Sequence, residues 1–94
     1  PARSPVKVEL EFDLAGHRGA IRAVTFSAAG DRIVTGGSDF SVRTWDAATG
    51  RLIDTHWGHT ADVSAVAVSA DGRTVFSASE DLTVRLWPAP APGR

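Results

Sequence analysis

The sequence contains no cysteine among its 94 residues. Thiolate chemistry is therefore excluded, because a disulfide framework, a zinc-thiolate site, an iron-sulfur cluster and a cysteine nucleophile all require that side chain. A function in any of these classes would have to rest on other residues.

An excess of charge of either sign is also missing. The chain has 10 basic and 11 acidic residues and a net charge of -1, whereas nucleic-acid and anionic-membrane surfaces need clustered Lys and Arg. No apolar run approaches the roughly 20 residues of a membrane span, and the segment PARSPVKVEL lacks the apolar core of a signal peptide. We therefore expect a soluble, cytoplasmic chain with no nucleic-acid and no membrane partner.

An internal repeat organises the rest of the sequence. Gly16-His17 recurs as Gly58-His59, 42 residues later, and the two copies align without a gap. At 9.9 kDa and 43% hydrophobic residues, both copies fit in one small globular domain. The other identical pairs in this register include Gly30 and Gly72, Asp39 and Asp81, Val42-Arg43 and Val84-Arg85, and Trp45 and Trp87.

The hydrophobic pattern within each copy has the period of β-strands. Short alternating runs rich in β-branched residues are separated by Gly-containing and Asp-containing turns. The predicted strands are 21–26, 32–35, 41–45 and 51–55 in the first copy, and 63–68, 74–77 and 83–87 in the second. Four short strands in 42 residues are typical of one propeller blade. The sequence therefore predicts an all-β fold with two four-stranded propeller blades per chain.

The motif order in each copy is Gly-His, then Asp, then Trp. Gly16-His17, Asp39 and Trp45-Asp46 carry it in the first copy, and the second copy ends in Trp87-Pro88 instead of Trp-Asp. This arrangement resembles the WD-repeat β-propeller family over nearly the whole chain. The resemblance implies a propeller that works through protein-protein contact.

The resemblance also implies a structural role for the polar residues inside each repeat. The His after Gly is expected to bond the Asp of a turn, and a Ser or Thr is expected to bond the Trp indole. A hydrolase reading of the same residues is the alternative, but a catalytic set gains nothing from being duplicated in every blade. The expected network residues are His17, Thr35, Asp39 and Trp45 in the first copy, and His59, Ser77, Asp81 and Trp87 in the second. We predict no catalytic residues, and hence no enzyme.

Cofactor and metal sites find little support. His56 and His59 are three residues apart, but no third ligand completes a plausible metal geometry. Gly36-Gly37 lies in a strand-turn stretch and not before a helix, so it does not predict a phosphate-binding loop. We interpret this glycine pair as a close approach of neighbouring backbone, and we expect no metal and no cofactor.

Partner binding is expected on the loops before the first strand and between the second and third strands, as the resemblance implies. Trp57 stands where the first copy has Ala15, and its ring could either pack across a blade junction or anchor a partner. The predicted interaction face comprises Arg18, Arg22, Ser38, Trp57, Asp62 and Glu80.

Two blades cannot close a ring when propellers typically have about four to eight. We therefore predict a closed homo-oligomer assembled head to tail, with an even number of blades. A tetramer with eight blades is the first expectation and a trimer with six blades is the second.

The two ends of the chain predict how the ring closes. Residues 6–12 alternate apolar and charged side chains, whereas the prolines of 88–94 cannot donate to a β-ladder. The predicted organisation is an N-terminal tail (1–5), an outer strand donated to a neighbouring chain (6–12), a first blade (13–55), a second blade of three strands (56–87) and a Pro-rich tail (88–94). The residues expected on the buried side of the donated strand are Val6, Val8, Leu10 and Phe12.

The sequence thus predicts a non-catalytic propeller module that self-assembles into a ring and serves as a protein-protein interaction scaffold, with a protein partner of unknown identity. Two alternatives stay open. The chain could be a fragment of a longer propeller protein, or its propeller could bind a small molecule or glycan and carry a catalytic site.

Overall fold

The computed structural model describes residues 15–89, which form seven antiparallel strands and no helix. The strands are β1 (Ile21–Phe26), β2 (Arg32–Gly37), β3 (Val42–Asp46), β4 (Leu52–His56), β5 (Val63–Val68), β6 (Thr74–Ser79) and β7 (Val84–Pro88). The expectation of an all-β fold is confirmed. Within this range there is accordingly no helix long and apolar enough to cross a membrane.

The strands form two sheets, one for each copy of the repeat. Sheet 1 has the order β1-β2-β3-β4, and sheet 2 has the order β5-β6-β7. Both are simple meanders in which consecutive strands pair, as in a propeller blade. The donated strand predicted at 6–12 lies outside the described residues, so sheet 2 ends at β7 in the described part of the chain.

The turn between the first two strands is the same in both copies. Gly30 and Gly72 have φ angles of +77° and +74°, a backbone region that is strained for residues with a Cβ atom. The Ser27 hydroxyl donates to Asp31, and the Ser69 hydroxyl donates to Asp71. Both repeats therefore reverse direction at the same glycine, although the aspartate that accepts from the serine follows this glycine in the first copy and precedes it in the second.

The hydrophobic core lies between the two sheets. Val34 and Val42 of sheet 1 pack against Val63 and Val75 of sheet 2, and all four are almost completely buried. Val66, Val68, Trp87 and Ala89 extend this cluster from sheet 2. We call this contact the inner junction. It joins the two blades of one chain.

Gly36 allows the sheets to approach closely at the inner junction. A Cβ atom at this position would collide with Cγ1 of Val63 and would lie 2.9 Å from Val63 Cβ. Glycine is therefore required at position 36 by a side chain of the other sheet. The interpretation that neighbouring backbone comes close here is wrong for Gly36. That interpretation holds for Gly37, where an added Cβ would lie 3.0 Å from the Ala20 carbonyl oxygen.

Each sheet has a second, uncovered apolar face. On sheet 1 it consists of Ile21, Val24 and Phe26, which we call the leading face. On sheet 2 it consists of the exposed Val84 and Leu86 with the half-buried Phe76 and Ala78, which together we call the trailing face. Val24, Phe26, Val84 and Leu86 are each more than 60% exposed. The two ends of the blade pair thus present hydrophobic surface that nothing among the described residues covers.

Candidate functional site

The four network residues of the first copy meet in one chain of hydrogen bonds. His17 Nδ1 lies 3.1 Å from both carboxylate oxygens of Asp39, in the turn between β2 and β3. His17 Nε2 lies 2.6 Å from Thr35 Oγ1 on β2, and the Trp45 indole of β3 donates to that oxygen at 2.8 Å. The network therefore ties the loop before β1 to both inner strands of the sheet.

The second copy has the same connections. His59 Nδ1 lies 2.9 Å from Asp81 Oδ2, and His59 Nε2 lies 2.7 Å from Ser77 Oγ. The Trp87 indole donates to Ser77 Oγ at 2.8 Å. The exchange of threonine for serine between the copies preserves the hydroxyl on which the network depends.

The chemistry of these groups fixes the direction of the bonds. An ionised carboxylate only accepts and an indole N–H only donates, so the His17 hydrogen belongs on Nδ1, facing Asp39. Nε2 then accepts from the Thr35 hydroxyl, which in turn accepts from Trp45. A neutral imidazole of this tautomer gives every group in the chain a partner.

This connectivity is that of a Ser-His-Asp triad, in which a hydroxyl donates to an imidazole held by a carboxylate. A nucleophilic hydroxyl must reach a substrate, but Thr35 is 2% exposed and Ser77 is 1% exposed. Each also accepts an indole N–H, which occupies the oxygen that would attack. The arrangement can hold strands together, but its hydroxyls cannot attack a bound molecule in this conformation.

The two network carboxylates are stabilised as anions. Burial raises the pKa of Asp39, but hydrogen bonds from the Arg18 amide, from the Ser41 hydroxyl and amide and from His17 together lower it by more, so that its pKa lies well below the ordinary value of 3.8. For Asp81, the Thr83 hydroxyl is the largest cause of a lowered pKa, followed by bonds from His59 and from two backbone amides. Ser41 and Thr83 belong to the network through these bonds, although they were not among the residues predicted from the repeat.

The lowered pKa values predict acid sensitivity. A carboxyl whose pKa is lower in the folded state than in the unfolded state contributes stability above the unfolded pKa and loses it as the pH falls. We expect the Tm to be flat near neutral pH and to fall once the pH drops below about 5, as the unfolded chain begins to take up protons near the ordinary value of 3.8. Melting curves between pH 7 and pH 2 would measure this. The double variant Asp39→Asn, Asp81→Asn should show a shallower dependence, and an equal slope in both proteins would contradict the prediction.

Three residues of the predicted interaction face contact each other across the inner junction. Arg22 NH2 lies 3.1 Å from Asp62 Oδ2, and Arg22 Nε donates to the Ser38 hydroxyl at 3.0 Å. Ser38 also donates to Asp62 Oδ2 at 3.1 Å. We call this group the inner clasp. The clasp pairs the charge of Arg22 on β1 with the charge of Asp62 on the loop before β5, whereas Arg18 and Glu80 are exposed.

Trp57 remains largely uncovered. Its ring is 59% exposed, and the Arg43 guanidinium carbon of β3 lies 5.8 Å from the ring centroid, within the range of a cation–π contact. The residue that packs across the blades is its neighbour His56, which stacks on Trp87 with ring centroids 4.8 Å apart. Contact with Arg43 leaves most of the indole free for a partner.

Metal-ligating side chains do not gather in the part of the chain that the structure describes. Residues 15–89 contain no group of three or more His, Asp or Glu side chains that could hold an ion. His56 Nε2 faces Asp54 at 3.6 Å, and His59 has both ring nitrogens in its own network.

Fold and site together define a tandem repeat of antiparallel β-blades, each fastened by a buried Trp-hydroxyl-His-Asp network. The family profile described as "WD domain, G-beta repeat" matches residues 8–46 and 50–88. The chain belongs to this family, and the two repeats predicted from the sequence are confirmed.

Three curated relatives match part of the chain. It is 42% identical over 52 residues to the ribosome biogenesis protein BOP1 homolog of Caenorhabditis elegans, and 34% identical over 47 residues to the ribosome biogenesis protein ERB1 of Yarrowia lipolytica. It is 45% identical over 42 residues to Protein Mut11 of Chlamydomonas reinhardtii. These matches cover 54%, 50% and 45% of the chain but only 8%, 6% and 11% of the relatives.

A solved structure shows the same fold. The crystal structure of the computationally designed Ika4 protein superposes with a TM-score of 0.70 at 35% sequence identity. The match covers 80% of this chain and 44% of the designed one.

Proposed function

We propose that this chain is a non-catalytic WD-repeat module that binds other proteins and assembles head to tail with copies of itself into a closed propeller. The buried networks serve to hold each blade together. Family membership supports the interaction role, and the inaccessible hydroxyls of Thr35 and Ser77 support the absence of catalysis.

One observation carries the self-assembly. The residues of the two uncovered faces are the 42-residue counterparts of residues that are buried or partly buried at the inner junction. Val24 and Phe26 correspond to the partly buried Val66 and Val68, which pack against the core, and the 65%-exposed Val84 corresponds to the fully buried Val42. The leading face of one chain is therefore expected to pack against the trailing face of the next, in the way that β5 of sheet 2 packs against β1 and β2 of sheet 1 inside the chain.

The edge of sheet 2 supports the same assembly. The outer strand β4 completes sheet 1, whereas β7 has no partner on its outer side among residues 15–89. Unpaired strand edges recruit further strands. The first family repeat begins at residue 8, inside the segment 6–12, just as the second begins at residue 50, shortly before β4. We propose that 6–12 of a neighbouring chain is the fourth strand of sheet 2.

Native mass spectrometry tests the proposal. Subunits of 9.9 kDa should form a single discrete oligomer, with a tetramer of eight blades expected first and a trimer of six blades second. A monomer at micromolar concentration would overturn self-assembly.

A second candidate is that these two blades are part of a longer propeller. The small share of each curated relative that the chain covers favours it. In that case the uncovered faces would be covered by further blades of the same polypeptide, and the 94-residue chain alone would stay monomeric or aggregate.

A further inference from the structure

The leading and trailing faces differ in sequence from the two sides of the inner junction, although they occupy the same repeat positions. Where the counterparts differ, the residue on the leading or trailing face is often the larger of the two. Gly36 becomes Ala78, Val34 becomes Phe76 and Thr44 becomes Leu86 on the trailing face. On the leading face, Val63 becomes Ile21 and Val68 becomes Phe26. The additional carbon atoms must be accommodated between the sheets.

The close contact at Gly36 shows that the inner spacing cannot accommodate them. A Cβ at Gly36 would already lie 2.9 Å from Val63 Cβ, while carbon atoms pack at about 3.5–4.0 Å. At an identical junction between chains, Ala78 would bring that Cβ, and Ile21 would add a further carbon opposite it. The sheets must therefore stand roughly an ångström or more further apart at this point.

The inner clasp also has no counterpart beside the leading and trailing faces. The positions that correspond to Arg22, Ser38 and Asp62 hold Ser64, Glu80 and Ala20. Because alanine replaces the aspartate, this ion pair cannot form between chains. A buried hydroxyl is missing as well, since Thr44 Oγ1, which has no partner among the described residues, is replaced by Leu86.

We infer that the contact between chains is a second kind of junction, wider than the inner one, lined by larger apolar side chains and without the Arg22–Asp62 ion pair of the inner clasp. The partner that fits it is the leading face of another copy of this chain. This inference rests on the proposed self-assembly and specifies its surface. A groove of about 150 Å³ on the trailing face, lined in part by Ala65, Phe76, Ala78 and Val84, is available for the larger residues of the leading face.

The test places residues of the inner junction on the trailing and leading faces. Leu86→Thr gives the trailing face the residue that the inner junction has at Thr44. Leu82→Asn is the control, because Leu82 is 95% exposed on a turn outside both faces, and its φ of +74° is tolerated by asparagine but strained for β-branched threonine. Sedimentation velocity over a dilution series measures the Kd between chains. We expect Leu86→Thr to raise the Kd at least about tenfold and Leu82→Asn to leave it within about twofold.

Two further results complete the design. Phe26→Val gives the leading face the residue that the inner junction has at Val68, and it should also raise the Kd. This variant replaces Leu86→Thr in the test if circular dichroism shows that Leu86→Thr is unfolded. A Kd unchanged by both substitutions would show that the two junctions are interchangeable and would overturn the inference. A wild-type monomer would instead overturn the proposed self-assembly.

Discussion

Deletion of residues 1–12 should abolish the oligomer. The deletion removes the strand that we propose for the outer edge of sheet 2, which leaves the N–H and C=O groups on the outer side of β7 without a ladder. Such an edge pairs with whatever strand is available. We therefore expect the truncated chain to run as a monomer or to aggregate, and size-exclusion chromatography with light scattering would distinguish these from the intact ring.

A matched variant separates strand pairing from the loss of chain length. Val8→Pro keeps the full chain length but removes one N–H that the ladder would use, and it fixes the φ angle in the middle of the proposed strand. It should weaken the oligomer as the deletion does, whereas Ala2→Pro, outside 6–12, should leave it unchanged. A soluble ring of unaltered mass after the deletion would show that contact between the faces alone closes it.

Replacement of Asp39 by alanine should lower stability without affecting any chemistry. The carboxylate accepts from His17, from the Arg18 amide and from Ser41, and its side chain is only 7% exposed. Removing it leaves these donors without their acceptor, at a cost of about 1–3 kcal/mol. Since each kcal/mol shifts the Tm of a domain of this size by about 4–8 °C, differential scanning calorimetry should resolve the change easily.

Asp39→Asn is the conservative control, because the amide keeps an oxygen that can accept from His17. It should recover part of the lost Tm, while Glu80→Ala, on an exposed turn residue, should have little effect. Ester and peptide hydrolysis assays on the same samples should show no activity in any of them. Activity in the wild type that disappears in a folded Asp39→Ala variant would contradict the structural role.

Local features of the fold were predictable because the same pattern of strand and turn residues occurs in both copies of the repeat. The first strand of each copy matches its predicted range residue for residue, and the network residues meet as the family resemblance implies. The second strands were predicted too short. Gly36 and Gly37 have a composition typical of turns, but β2 continues through both of them because they pair with β1. Glycine is needed at position 36 because Val63 of the other sheet occupies the space beside it.

Contacts between the sheets were not predictable from the repeat. Arg22 lies on β1 of the first copy and Asp62 lies on the loop before β5 of the second, and their pairing depends on how one blade rotates against the other. The same holds for His56, whose stacking on Trp87 is set by sheet packing and has no equivalent in the first copy, where Leu14 stands at that position. Exposed apolar residues such as Val24 and Leu86 fit the strand pattern equally well whether covered or uncovered.

The contact between Gly36 and Val63 also limits how such a chain could evolve. Gene conversion within a repeat array copies the sequence of one unit into the place of another. If the second unit were copied over the first, position 36 would receive the alanine of Ala78 while Val63 stayed in place, and the new Cβ would overlap the valine. The two units have thus specialised by position, and a duplication that ignores this difference would produce a protein that must first mutate at the blade contact before it can fold well.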